Sequence, residues 1–113
     1  AGGAAEGVIF AAGFISSTPD PKVQAFVTRY KELYGHEPND FAATGYDAIY
    51  LIANAIEKAG NTEAKSIADT LKSISYEGVE GVFRFNENGE GLRDMFIGKV
   101  VNGSPVSFDP SQK

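Results

Sequence analysis

The chain has 113 residues, 15 of them acidic and 10 basic, for a net charge of −5, with 42% apolar residues, 22% charged residues and no cysteine. That length and balance suit one small globular domain rather than a disordered chain. They exclude the clustered basic face a nucleic-acid partner requires, and they exclude disulfide frameworks, thiolate catalysis and zinc–thiolate sites.

Gly7-Val8-Ile9-Phe10-Ala11 is a short apolar run that reads as a strand buried on both faces, as in a parallel sheet. Gly13 to Pro19 reads as a loop. Asp20-Pro21 is a helix start, because the carboxylate caps free backbone N–H groups and proline is tolerated at the first helical position. Val23, Phe26, Val27, Tyr30, Leu33 and Tyr34 fall on one stripe, and Gly35 ends that helix. Residues 36–40 break the pattern, with Asn39 or Asp40 as the next cap.

A long helix is expected from about Phe41 to Ala59, stopped by Gly60. Its apolar side, including Phe41, Tyr46, Ile49, Tyr50, Ile52 and Ile56, is wide enough to be contacted from more than one direction. Thr62 starts a third helix, with Ile67, Leu71 and Ile74 on one face. Beyond Tyr76 the period changes. Val82–Phe85 reads as a strand, Asn86-Glu87-Asn88-Gly89 as a turn, and Met95–Val101 as the returning strand. Asn102-Gly103 supplies another tight turn before a short last strand, Val106–Phe108.

The order is therefore one strand, three helices and a β-meander, an α/β pattern. The leading strand has no parallel partner, and the helical stripes need a layer to lie against. The whole, 1–113, is read as a single domain: 1–19 strand and hinge-like loop, 20–75 helical, 76–113 β-hairpin tail. No apolar stretch approaches the roughly 20 residues a membrane span needs. The chain opens Ala1-Gly2-Gly3-Ala4-Ala5, with neither methionine nor signal peptide, so a mature, processed or truncated product is expected.

Three segments carry a resemblance. One is Ala4-Ala5-Glu6-Gly7-Val8-Ile9-Phe10 followed by Phe26-Val27-x-x-Tyr30-x-x-x-Tyr34-Gly35-x-Glu37-Pro38. Another is Phe41-Ala42-Ala43-x-Gly45-Tyr46-Asp47-Ala48, running to Ala55-Ile56-Glu57-Lys58-Ala59-Gly60. The last is Phe85-Asn86-Glu87-Asn88-Gly89 ahead of a strand. Together they resemble the branched-chain amino-acid group of the type I periplasmic solute-binding proteins of ABC transporters. The resemblance implies the C-terminal portion of a two-lobed fold whose lobes close on a solute. It implies an amino acid as ligand in the full-length parent, a transporter permease as partner, and a periplasmic or extracellular location, lipid-anchored in some relatives. The polar groups that hold the ligand's ammonium and carboxylate would then lie upstream. What falls within these 113 residues is an apolar contact: Phe41 matches the family's pocket aromatic ahead of the Gly-Tyr-Asp helix, and Phe14 is a second candidate. An aromatic wall suits an aliphatic side chain through dispersion and water release.

Each candidate has a plainer alternative. Phe41 suits a hydrophobic staple and Phe14 a loop anchor. Tyr46 reads as a core residue, and Asp47 as a carboxylate favoured by the helix dipole. His36, the only histidine, follows a helix end and lacks the neighbours of a metal or catalytic site. Asn86-x-Asn88-Gly89-Glu90 lacks the spacing and closing glutamate of a calcium loop. No catalytic residue, metal or cofactor is expected, and an enzyme is not. A rival reading is a small interaction module that self-associates by sheet completion or domain swapping, a homo-oligomer covering its own apolar surface.

Overall fold

The computed structural model describes residues 2–112, and the ends of the expected 1–113 span, Ala1 and Lys113, lie outside the described residues. A short 3-10 turn, Gly2–Ala5, precedes nine elements. They are β1 (Ile9–Ala12), α1 (Pro21–Tyr34), α2 (Asp40–Ala59), α3 (Ala64–Leu71), β2 (Ser75–Gly78), β3 (Gly81–Phe85), β4 (Gly91–Arg93), β5 (Phe96–Val101) and β6 (Ser104–Ser107). They sort into two compact units, one from residues up to 41 with those from 95 onward, the other from 42–94.

In the first unit an antiparallel sheet has the order β1-β5-β6. The leading strand thus has a partner after all. It is antiparallel rather than parallel, running from Ile9 opposite Lys99 to Ala12 opposite Phe96. Nor is it buried on both faces, since Val8 and Ile9 are exposed. Gly98 of β5 is glycine because a Cβ there would strike the Phe10 ring and the Ile15 side chain. The Asn102-Gly103 turn has φ of 51° and 76°, the left-handed pair that a two-residue hairpin requires. Its last strand is β6, two residues earlier than expected. Glu6 closes this turn from the other end of the sequence, accepting the Asn102 and Gly103 backbone N–H groups at 2.9 and 3.1 Å.

Helix α1 starts and stops as its caps dictate. Asp20 Oδ1 accepts the Lys22 N–H at 2.7 Å, and Gly35, at φ 74°, returns its N–H to the Lys31 carbonyl. Val23, Phe26 and Val27 are buried with Phe14 and Ile15. The rest of the expected stripe is not: Leu33 and Tyr34 are exposed. Phe14 and Phe26 meet edge-to-face at 5.8 Å, the geometry the ring quadrupole favours. Gln24 ties the 13–19 loop to α1, donating to the Ser16 and Thr18 carbonyls.

In the second unit β2, β3 and β4 form an antiparallel meander. Strand β3 therefore returns on β4, not on Met95–Val101, which belongs to the other sheet as β5. Strand β2 was not expected, because Ser75-Tyr76-Glu77-Gly78 carries almost no apolar alternation. Helix α3 begins at Ala64, not Thr62: Asn61 Oδ1 accepts the Glu63 N–H at 3.0 Å and holds that stretch in an Asx turn. Ile74 lies beyond its end.

The buried line of α2 is Ala43, Asp47, Leu51 and Ala55, four residues apart. Asp47 anchors this line, its two oxygens accepting the Val79 and Glu80 N–H groups in the β2–β3 turn at 3.0 and 2.9 Å. The larger apolar residues of the wide stripe, which the sequence left in need of a layer, are exposed: Ile49 by 68% and Ile52 by 45%, and Tyr46, read as core, by 39%. Tyr46 is thus a surface residue, its ring tilted against that of Tyr50 with centroids 4.9 Å apart, rather than part of the core.

Candidate functional site

The first unit holds an open groove of about 1310 Å³. Phe14 and Val27 give it an apolar floor, and Ser16, Lys31, Glu37 and Asp40 stand among its polar lining. Local rules place each wall. Phe14 is buried in the loop that follows β1, while the left-handed Gly35 ends α1 ahead of Glu37, which pairs back with Lys31. The Lys31 ammonium and Glu37 carboxylate pair at 2.8 Å. That hydrogen bond comes first in holding the Glu37 carboxyl below its usual range, and a hydrogen bond from Ser16 adds to it. Both side chains are about half exposed, so the pair shapes the rim more than it stabilises the fold.

Phe14 lines this groove but is itself buried, with 4% exposure. Phe41 does not line it. Its ring, in the first turn of α2 next to Asp40, is 86% exposed, the most exposed of the large apolar side chains. A staple contact would bury that ring, so the local helix start does not account for it. The two aromatics therefore differ in kind: Phe14 is held by Phe26, and Phe41 presents a free face.

The Lys31–Glu37 pair was not singled out from the sequence. The signal was present in two opposite charges either side of a helix-ending glycine, but such pairs are common on solvated surfaces. The His36 and Tyr30 rings meet edge to face with centroids 5.5 Å apart, and His36 Nδ1 lies 3.0 Å from the Glu37 carbonyl. Among the described residues, no three His, Asp or Glu side chains gather to hold a metal ion. No helix among them is long and apolar enough to cross a membrane.

The buried acids Asp47 and Glu80 have structural partners. Glu80 Oε1 accepts the Thr44 hydroxyl and an Arg93 N–H, each at 2.8 Å, while Asp47 is occupied by the turn it caps. Neither is poised over an open space as an acid or base.

Comparison with known proteins identifies the frame in which these features sit. Residues 1–105 match the family described as periplasmic binding protein. A leucine-, isoleucine-, valine-, threonine- and alanine-binding protein of Pseudomonas aeruginosa is 31% identical over 71 residues, which are 63% of this chain and 19% of that protein. The crystal structure of a leucine-binding protein from Thermotoga maritima superposes with a TM-score of 0.76 at 34% identity, covering 96% of this chain and 31% of that one. A solute-binding protein of an ABC transporter from Rhodopseudomonas palustris, in complex with 3,4-dihydroxybenzoic acid, gives a TM-score of 0.83 at 28% identity, over 95% and 31%. The chain thus spans a third or less of the length of these relatives. Its mixed helices and sheets have the type I periplasmic-binding fold. These are binding proteins, not enzymes, and by the match over 105 of its residues this chain belongs to the periplasmic binding protein family.

Proposed function

We propose that this chain forms part of the solute-binding component of an ABC transport system and contributes an apolar wall, Phe41, to the site for an amino acid with an aliphatic side chain. The observation that carries the reading is the free face of the Phe41 ring, 86% exposed at the start of α2. A bare aromatic ring costs free energy in water, and a leucine- or valine-like side chain laid on it removes both apolar surfaces from solvent. The names of the Pseudomonas and Thermotoga relatives support the amino-acid class. Phe14, buried beside a groove that Phe41 does not line, takes the weaker role.

The groups that hold a solute's ammonium and carboxylate are then supplied by residues outside these 113. In the whole protein, ligand-driven closure of two lobes would report occupancy to a permease in the membrane, with binding in the periplasm. Isothermal titration of the chain with leucine, isoleucine and valine tests this division of labour. Binding weaker than about 1 mM, some −4 kcal/mol, is expected. Micromolar affinity would show that the chain holds the solute's charged groups itself and would overturn it.

A further inference from the structure

We propose that Asn88–Gly89 is the principal site of spontaneous deamidation in this protein, and that the Glu6 carboxylate guards the second Asn–Gly pair, Asn102–Gly103, against the same reaction. Both pairs sit in exposed turns, and in both the following residue has no side chain to shield its nitrogen. In the reaction the backbone nitrogen of the glycine loses its proton and attacks the asparagine Cγ. A new C–N bond forms there, the Cγ–Nδ2 bond breaks and ammonia leaves. Water then opens the cyclic imide to aspartate or isoaspartate, so atoms balance without any oxidant.

The two turns differ in what holds the attacking nitrogen. Gly103 N–H donates to Glu6 Oε2 at 3.1 Å, and Asn102 N–H to Oε1 at 2.9 Å. A carboxylate at that place opposes reaction twice. It retains the proton in a charge-assisted hydrogen bond, and its negative charge disfavours the amide anion that must form. It also binds both N–H groups of the turn at once, which keeps Asn102 at φ 51° between paired strands. Gly89 N–H has only a neutral partner, the Asn86 carbonyl at 3.0 Å, three residues back in the same loop. Within that loop Asn86 Oδ1 accepts from the Asn88 and Glu90 N–H groups.

The guard stands where damage would matter. Isoaspartate at 102 would insert an extra backbone carbon into a two-residue connection and throw off the pairing of Val101 with Ser104. Aspartate there would place a second carboxylate beside Glu6. At 88 the same change falls in a loop between the short strands β3 and β4.

The test is incubation of the folded protein at mildly alkaline pH, with conversion at each asparagine followed by peptide mass spectrometry. Asn88 is expected to convert at least about tenfold faster than Asn102, equivalent to roughly 1.4 kcal/mol. Glu6→Ala should bring Asn102 close to the Asn88 rate while leaving Asn88 unchanged, so that Asn88 serves as an internal clock. Glu6→Gln, which keeps an acceptor but not the charge, should fall between. In urea the two sites should converge. Equal rates in the native protein, an Asn102 rate indifferent to Glu6→Ala, a parallel rise at both sites, or a tenfold difference persisting in urea would each overturn the proposal.

Discussion

The Asp47 carboxylate of α2 lies so close over Gly78 that no Cβ fits between them. The contact follows from what Asp47 does. With 8% exposure, it takes the two N–H groups of Val79 and Glu80 that the β2–β3 turn leaves without strand partners. A buried backbone donor without an acceptor costs about 1–3 kcal/mol, and hydrogen bonds to a charged group are worth about 1.5–3 kcal/mol each.

Asp47→Ala should therefore destabilise the fold by about 3 kcal/mol or more, and Asp47→Asn, which keeps one acceptor, by roughly half as much. Gly78→Ala should also destabilise it, because the added methyl must displace the carboxylate. Urea unfolding reads all three. A near-neutral Asp47→Ala would mean the turn finds other partners and the carboxylate is incidental.

The two aromatics of opposite exposure give a second contrast. Phe26, buried against Phe14, should cost about 3–5 kcal/mol on truncation to alanine. Phe41→Ala should change stability by less than about 0.5 kcal/mol, since its ring has little buried surface to lose. A large loss at Phe41 would show that the ring supports the fold and would weaken its assignment to a ligand.

Tyr76 supplies a pH dependence. Burial foremost, with the nearby Asp47 charge second, pushes its hydroxyl up from 10.0 to about 12. The folded state thus keeps a proton that the unfolded state releases from pH 10 upward. Its contribution to stability is complete below about 10 and is lost as the pH rises toward about 12. Ultraviolet absorbance should show late-ionising tyrosine, to which Tyr46, held up by its hydrogen bond with Tyr50, also contributes, and Tyr76→Phe should remove the part that titrates near 12. If the variant's tyrosines titrate no differently from the parent's, the displaced group is not Tyr76.

What could be read along the sequence was what short-range chemistry decides. The Asp20 cap, the left-handed Gly35 and Gly60, and the Asn102–Gly103 turn each depend on a few neighbouring residues. What escaped reading depends on distant contacts. The antiparallel partner of β1 and the Glu6 clamp join the two ends of the sequence, at a separation of 96 residues for Glu6 and Asn102. Asp47 meets its turn 32 and 33 residues away, so its sequence context suggested only a helix-dipole role. Strands β2 and β4 were missed because Ser75–Gly78 and Gly91–Arg93 are held by their neighbours' pairing rather than by apolar alternation of their own. At the site, Phe41 and Phe14 were named through the resemblance, while the exposure of the one ring and the burial of the other were not readable from their positions. Nor was the Lys31–Glu37 rim, since it needs the bend at Gly35 to close.

The most direct measurement is a nuclear magnetic resonance titration of the protein, its phenylalanine rings labelled, with leucine carried through the millimolar range. The account predicts that the Phe41 ring shifts first and furthest, that the Phe26 ring stays still, and that Phe41→Ala abolishes the response. Leucine-dependent shifts that leave Phe41 unmoved, or that survive its removal, would contradict it.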